Sequence, residues 1–173
     1  MKSIISLVVL FSTVFAGNTF ANTRSTRDDF YNTIESFRKA CPNQCQAPFK
    51  TEDAFSVANP NVSQLPAAVQ TQLQTVALSQ AQIWGDTILE GDYFAAGHTQ
   101  LDRVLAIYQN DQFVGYKIVY SEQAWYTGEC DFDGDDETTL NGCHEGRIHE
   151  STFVSPDLKT FFRDEDEFAN FEG

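Results

Sequence analysis

Basic residues are scarce in this sequence, and the shortage excludes two classes of partner. The chain has 11 Lys and Arg against 25 Asp and Glu, which gives a formal net charge of −14. Nucleic acids and anionic membranes both require a basic surface on the proteins that bind them. The composition therefore excludes both as expected partners. It is compatible with a cation, or with a protein or peptide partner.

Long apolar runs are also missing, apart from one at the N-terminus. Met1 and Lys2 precede an uncharged, mostly apolar stretch at residues 4–15. A membrane-spanning helix needs about 20 apolar residues, so this shorter stretch favours a cleavable secretory leader. We place its end at Ala21 rather than Ala16, because that choice leaves a short polar segment before the cut. Residues 1–21 are thus predicted to be a signal peptide and 22–173 a single acidic domain, secreted or periplasmic, with no membrane span after leader removal.

Motifs for the common catalytic chemistries are absent from the sequence. It has no Gly-x-Ser-x-Gly, no phosphate-binding glycine loop and no His-Glu-x-x-His. Two of its three histidines, His144 and His149, would point to opposite faces of a strand and could not easily share one metal ion. Carboxylate pairs such as Asp86 and Glu90 could act as acid and base in a suitable cleft. A small extracytoplasmic hydrolase that uses sheet carboxylates is therefore the alternative function, with its catalytic residues unknown.

Four cysteines remain after the predicted leader, and an even number in an exported chain favours disulfides. Three pairings are possible. We favour Cys41 with Cys45 and Cys130 with Cys143, because each pair would close a short polar turn. A four-cysteine zinc site is the alternative, but the spacing of the second pair is too wide for a zinc knuckle.

The most acidic segment lies between the last two cysteines and is a candidate calcium site. Calcium prefers six to eight oxygen ligands, and acids at alternate positions of a loop supply several of them. The segment does not match an EF-hand, because Asp136 replaces the usual glycine and Gly142 stands where a bidentate carboxylate is needed. An exposed acidic hairpin tip is the alternative interpretation. The predicted ligands are Asp131, Asp133, Asp135 and Glu137.

Two aromatic residues, Trp125 and Tyr126, come shortly before the acidic segment. Exposed aromatic rings beside carboxylates would suit the binding of a sugar or a peptide, so we take both as candidate ligand-binding residues. Burial in the core is the alternative.

Apolar periodicity predicts two helices in the first half of the chain. The first has a stripe at Phe30, Ile34, Phe37 and Cys41, with acids in its first turn and bases in its last. The second begins near Pro66, a residue suited to the first helical position. Its predicted buried stripe comprises Val69, Leu73, Val76, Ala77, Gln80 and Ile83 or Trp84. Residues 46–64 are predicted to be loop.

The second half predicts antiparallel strands. If Asn110-Asp111 is a two-residue turn, the numbers of all cross-strand pairs sum to 221, and both strands then place most of their apolar residues on one face. A second strand pair is predicted at 146–154 and 158–163. The fold class is therefore α+β, with one or two N-terminal helices packed on one face of an antiparallel sheet of about four strands. This order resembles cystatin-like folds by analogy only. Such folds support many activities, so the analogy decides nothing about function. We expect an exported, non-catalytic binding or accessory domain.

Overall fold

The computed structural model describes residues 27–41, 45, 48–62, 65–81, 88–89, 93–95, 98–128, 130, 140, 142–164 and 170–172. Two helices and eight strands lie within these ranges, and the strands form one antiparallel sheet. The predicted α+β class and its helix-on-sheet packing are confirmed, and four of the strands are long. The elements in chain order are α1 (Arg27–Ala40), β1 (Phe49–Ser56), α2 (Ala67–Ala81), β2 (Ile88–Leu89), β3 (Tyr93–Ala95), β4 (Gln100–Gln109), β5 (Gln112–Tyr126), β6 (His144–Val154), β7 (Phe161–Arg163) and β8 (Asn170–Glu172).

The sheet has five strand positions across its width. The long strands follow the order β1-β4-β5-β6, and short strands extend it. β3 pairs with the end of β5 beyond β4, and β2 pairs with β3. β7 and β8 pair with different parts of the outer edge of β6. β5 and β6 are therefore central strands, and their side chains alternate between the two faces of the sheet.

Each face of the sheet carries one helix, so packing on a single face, as expected from the sequence, is not what the structure shows. α1 buries Phe30, Ile34 and Phe37 against a cluster that includes Phe153. α2 packs against a second cluster that includes Val154. Since consecutive residues of a strand point to opposite faces, the two clusters lie on opposite sides of the sheet. We call these sides the α1 face and the α2 face.

α2 is attached to the start of β4 by the amide side chain of Gln74. Its Nε2 donates to the carbonyl of Thr99 at 3.1 Å, and its Oε1 accepts from the backbone N–H of Leu101 at 2.9 Å. One side chain thus satisfies two backbone groups, as a neighbouring strand would. In the predicted stripe of α2, Leu73, Val76, Ala77 and Gln80 are buried and Val69 is half-buried, whereas Ile83 and Trp84 lie outside the described residues.

The central hairpin has the predicted turn but a different register in its middle. Gln109 faces Gln112 and Leu101 faces Tyr120, as predicted. Between them, Ile107 pairs with Gly115, Leu105 with Lys117 and Arg103 with Val119, each shifted by one from the predicted partner. The register shifts near Val114 of β5 and returns near Asp102 of β4. Two bulges of opposite effect explain this pattern, because each inserts one extra residue into one strand.

The bulge in β5 leads to Gly115, whose missing side chain lets α1 approach the sheet. Gly115 has a φ of +148°. A Cβ atom there would lie 2.6 Å from the carbonyl oxygen of Val154 and 2.9 Å from the ring of Phe30. Only glycine fits this conformation and this contact.

The prediction of loop for residues 46–64 is wrong for β1. Residues Phe49–Ser56 form an edge strand that pairs with β4, with a bulge between Asp53 and Phe55. The segment looks polar because Lys50, Glu52 and Asp53 are exposed. Charged side chains and bulges are usual on edge strands, where they oppose pairing with a further chain.

The predicted turn between the last two long segments is present at residues 155–160. The Ser155 hydroxyl donates to Asp157 at 2.6 Å, and the Thr160 N–H donates to the Ser155 hydroxyl at 2.9 Å. Leu158 has a φ of +61°, so β7 begins three residues later than predicted. No helix among the described residues is long and apolar enough to cross a membrane.

Candidate functional site

The four cysteines form two disulfides, Cys41–Cys45 and Cys130–Cys143. These are the two pairs that the spacing favours. The first bond closes a short turn directly after α1. The second closes a segment between β5 and β6, since β5 ends at Tyr126 and β6 begins at His144.

The predicted calcium ligands Asp131, Asp133, Asp135 and Glu137 lie outside the described residues. Within the ranges that the structure covers, no group of three or more His, Cys, Asp or Glu side chains is arranged to hold a metal ion. Calcium binding by this segment therefore stays a prediction.

Trp125 and Tyr126 are the last two residues of β5. Both side chains are half-buried, so neither forms a freely exposed aromatic platform. Their backbones pair with Phe94 and Tyr93 of β3 on one side and with Glu145 and His144 of β6 on the other. The structure thus places both in the sheet interior, between two neighbouring strands.

The two histidines of β6 lie on opposite faces, as strand alternation requires. His149 is on the α1 face, with its Nδ1 3.4 Å from a carboxylate oxygen of Asp102. Next to it, Arg147 donates from Nε to the Ser121 hydroxyl at 2.8 Å. Ser121 is fully buried, so this array does not present an accessible nucleophile. Asp86 and Glu90, the acid pair considered from the sequence, lie outside the described residues.

The α2 face holds a buried pair of carboxyl groups, Glu122 of β5 and Glu150 of β6. Their side chains are 4% and 2% exposed. Glu122 faces Ile148 and Glu150 faces Tyr120 across the same strand pair, so the two acids are diagonal neighbours on one face. We call Glu122 and Glu150 the carboxyl pair.

Both oxygens of Glu150 have partners. The Tyr120 hydroxyl donates to Oε2 at 2.8 Å, and Arg163 Nη2 donates to Oε1 at 2.6 Å. Burial raises the pKa of Tyr120, and the Glu150 carboxylate adds to that effect, so the phenol stays protonated as a donor. Both oxygens of Glu150 are thereby engaged by neighbouring donors.

Glu122 is in a different situation from Glu150. No described side chain or backbone group donates a hydrogen bond to its carboxyl group. Burial, followed by the charge of Glu150, raises the pKa of Glu122 from 4.5 to about 7, while Arg163 and Arg147 oppose the shift. The carboxyl pair therefore favours the binding of a proton at Glu122 near neutral pH.

The α1 face contains the opposite arrangement around Asp164, which directly follows β7. Arg38 Nε lies 3.0 Å from its Oδ1, and Lys117 Nζ lies 3.2 Å from its Oδ2. Asp164 is 5% exposed. This carboxylate joins the last turn of α1 to the sheet. We call Arg38, Lys117 and Asp164 the ion triad.

An open groove of about 380 Å³ lies between α2 and the β6–β7 turn. The α2 side contributes one row of the helix, and the turn contributes residues 157–159 together with Phe161. Phe161 is 38% exposed and gives the groove an accessible aromatic surface. We call this surface the α2 groove; its helix row is Gln72, Thr75, Val76 and Ser79.

Sequence reasoning missed the carboxyl pair, although one signal was present. In β5 the even positions Ile118 and Tyr120 are apolar and buried, and Glu122 continues the same row. In β6, Glu150 likewise lies between Ile148 and Val154. An acid at a core position of a strand is a recognisable anomaly. That Arg163 would meet Glu150 depends on the β6–β7 register, which no local pattern indicates.

No family model, no curated protein and no solved structure matches this chain. Its function must therefore be argued from the geometry of its own residues.

Proposed function

We propose that this chain is an exported, non-catalytic binding domain whose partner is a basic polypeptide segment seated in the α2 groove. The observation that carries the proposal is the groove itself, an open concave surface that combines an exposed Phe161 with a row of helix hydroxyl and amide groups.

The groove offers apolar contacts and hydrogen-bond acceptors together. Val76, Leu158 and Phe161 provide the apolar surface. The hydroxyls of Thr75 and Ser79 donate to carbonyls of α2, at 2.9 Å and 2.8 Å. Because each hydroxyl oxygen also has acceptor capacity, these groups can receive N–H donors from a partner.

Charge favours a basic partner. The chain carries a net charge of −14. At the rim of the groove, a hydrogen bond from the Ser155 hydroxyl lowers the pKa of Asp157, which keeps that carboxylate ionised. Among the described residues that line the groove, Lys159 is the one cation. A segment with an apolar anchor side chain and Lys or Arg on either side fits this combination, and acidic surfaces accelerate encounter with such partners.

A small extracytoplasmic hydrolase is the second candidate. The carboxyl pair favours it, because two neighbouring acids with different protonation states are what acid–base catalysis requires. Against it, Glu122 and Glu150 are almost completely enclosed, and both oxygens of Glu150 are already engaged. A substrate needs direct access to at least one of these oxygens. The burial therefore supports binding over hydrolysis.

Export is part of the same proposal. Disulfides persist in oxidising compartments and are rare in the cytosol. The two bonds, Cys41–Cys45 and Cys130–Cys143, support secretion or a periplasmic location together with the predicted leader at 1–21.

The proposal that the groove binds a peptide is tested with a displayed library of random peptides, from which the purified protein selects those that it binds. We expect enriched sequences with an apolar residue flanked by Lys or Arg. The substitution Phe161→Thr should weaken the binding of a selected peptide, measured by calorimetry, by about tenfold, since central aromatic contacts dominate such interfaces.

Val57→Thr is the matched control, because Val57 is 52% exposed and does not line the groove. It should leave the dissociation constant unchanged. If selection enriches no peptides, or if Phe161→Thr binds the selected peptide as well as the parent does, the proposal is wrong.

Calcium binding at Asp131, Asp133, Asp135 and Glu137 would be a further property of this binding domain. A ligand that binds only the native state raises the unfolding midpoint. We expect millimolar calcium chloride to raise the thermal midpoint and magnesium chloride to raise it less. An unchanged midpoint would remove calcium from the proposal and leave an exposed acidic segment.

A further inference from the structure

We propose that the carboxyl pair is a proton-binding site that makes the stability of the fold depend on pH. The folded state is more stable at mildly acidic pH than above neutral pH. The proposal is independent of the α2 groove. It rests on the placement of Glu122 and Glu150 and on the small number of groups available to neutralise them.

Among the described residues, one cation is bonded directly to one of the two acids, and none is bonded to the other. Arg163 Nη2 is bonded to Glu150 Oε1 at 2.6 Å, and the remaining Glu150 oxygen accepts from Tyr120. Glu122, at 4% exposure, has no donor among the described residues. An ionised carboxylate buried without a donor is costly, whereas a protonated carboxyl group is tolerated.

Among the described residues, few charged and titratable groups lie around Glu122. β5 contributes Tyr120, β6 contributes Glu150 and Arg147, and β7 contributes Arg163. Arg147 lies on the other face, where it is bonded to Ser121. α2, which packs on the same face as Glu122, has no charged side chain at all. Nothing in these elements replaces the proton when it leaves.

The direction of the pH effect follows from the sign of the shift. The pKa of Glu122 is raised from 4.5 to about 7, so the folded state binds a proton more tightly than the unfolded state does. The resulting stabilisation is complete below pH about 4.5, declines between about 4.5 and 7, and is lost above about 7. Ionised Glu122 then lies beside ionised Glu150, and the two carboxylates repel each other next to the β6–β7 pairing.

The test is urea unfolding of the full protein between pH 5 and pH 8. For the parent, we expect the folded-to-unfolded equilibrium constant to fall on the order of 50-fold over this range from Glu122 alone. Glu122→Gln keeps the size and polarity of the side chain but cannot ionise. It should therefore lose that part of the pH dependence and be more stable than the parent at pH 8.

His149→Gln is the control, because it removes an imidazole from the opposite face without touching the carboxyl pair. It should retain the pH dependence that Glu122→Gln loses. A Glu122→Gln variant with the same pH dependence as the parent would overturn the proposal.

A direct measurement keeps the proposal testable if Glu122→Gln fails to fold. The carboxyl carbon of Glu122, followed by NMR in the parent protein labelled with ¹³C-glutamate, should titrate near pH 7. A midpoint between pH 4 and pH 5 would show that the site does not retain a proton, and would overturn the proposal whatever the groove binds.

Discussion

The two faces of the sheet bury carboxylates in opposite ways. On the α1 face, one carboxylate, Asp164, lies between two cations, Arg38 and Lys117. On the α2 face, two carboxyl groups, Glu122 and Glu150, lie near one directly bonded cation, Arg163. Both arrangements use strands of the same sheet, and the three carboxyl groups have similar exposure.

The two faces differ in how their acids are paired: Arg38, which also pairs with Glu35, and Lys117 both contact Asp164, whereas Glu122 has no bonded cation among the described residues. Arg38 and Lys117 contact the two oxygens of Asp164 and offset the desolvation of its charge. The carboxyl pair cannot stay fully ionised at the same low cost, because its second negative charge has no bonded partner. The α2 face is therefore expected to respond to mild changes of pH through Glu122.

The largest effect is expected from removing the cation of the α2 face. Arg163→Met would leave Glu150, 2% exposed, without its guanidinium partner. Loss of one partner of a buried ion pair typically costs about 3 to 5 kcal/mol of the free energy of unfolding. Urea unfolding at pH 7 measures the change.

Arg103→Met is the matched control for that experiment. Arg103 pairs with Asp53 on the surface, where both side chains are more than 40% exposed, and such pairs contribute little. If Arg163→Met were no more harmful than Arg103→Met, the carboxyl pair would not depend on Arg163. Glu150→Gln, added to Arg163→Met, should restore part of the lost stability.

A smaller effect is expected on the α1 face from Asp164→Asn. This substitution removes the negative charge of the ion triad, but Arg38 and Lys117 are 18% and 16% exposed and can regain contact with water. The loss of these two partly exposed ion pairs is therefore expected to cost less than the loss of Arg163, on the order of 1 to 2 kcal/mol. Asp53→Asn serves as the surface control. A cost larger than that of Arg163→Met, measured in the same urea series, would reverse the comparison between the faces.

The sequence predicted those parts of the fold that depend on local chemistry. The stripe of α1, the start of α2 near Pro66 and the turn at Asn110-Asp111 all follow from side-chain periodicity and turn preferences, and each is present. The pairing of the cysteines across short segments also agrees with the structure.

The sequence predictions are wrong where contacts between distant parts of the chain determine the structure. The middle of the hairpin shifts by one residue because bulges near Val114 and Asp102 bring Gly115 beneath Phe30 and place Asp102 near His149. β1 looked like a loop because an edge strand carries charges on its exposed side. Neither effect is encoded within a short window of sequence.

The candidate sites also have some features that the sequence indicates locally and others that depend on tertiary contacts. Glu122 and Glu150 could have been noticed as acids in apolar rows of their strands, but their shared cation comes from a strand whose register is not local. The α2 groove joins a helix to a turn about 80 residues later in the chain. Calcium binding at 131–137 and the leader at 1–21 remain predictions, because both segments lie outside the described residues.

Arg163 and Asp164 are neighbours in the chain, yet their side chains point to opposite sides of the sheet. Sliding this dipeptide by a single position along β6 would exchange the two side chains, so that an anion would meet Glu150 and a cation would meet Arg38 and Lys117. Every attraction would become a repulsion. Because β7 has only three residues, its backbone pairs with β6 fix its register weakly. The opposite charges of Arg163 and Asp164 therefore add to the pairing and to the turn at 155–160 in favouring the observed register of β7.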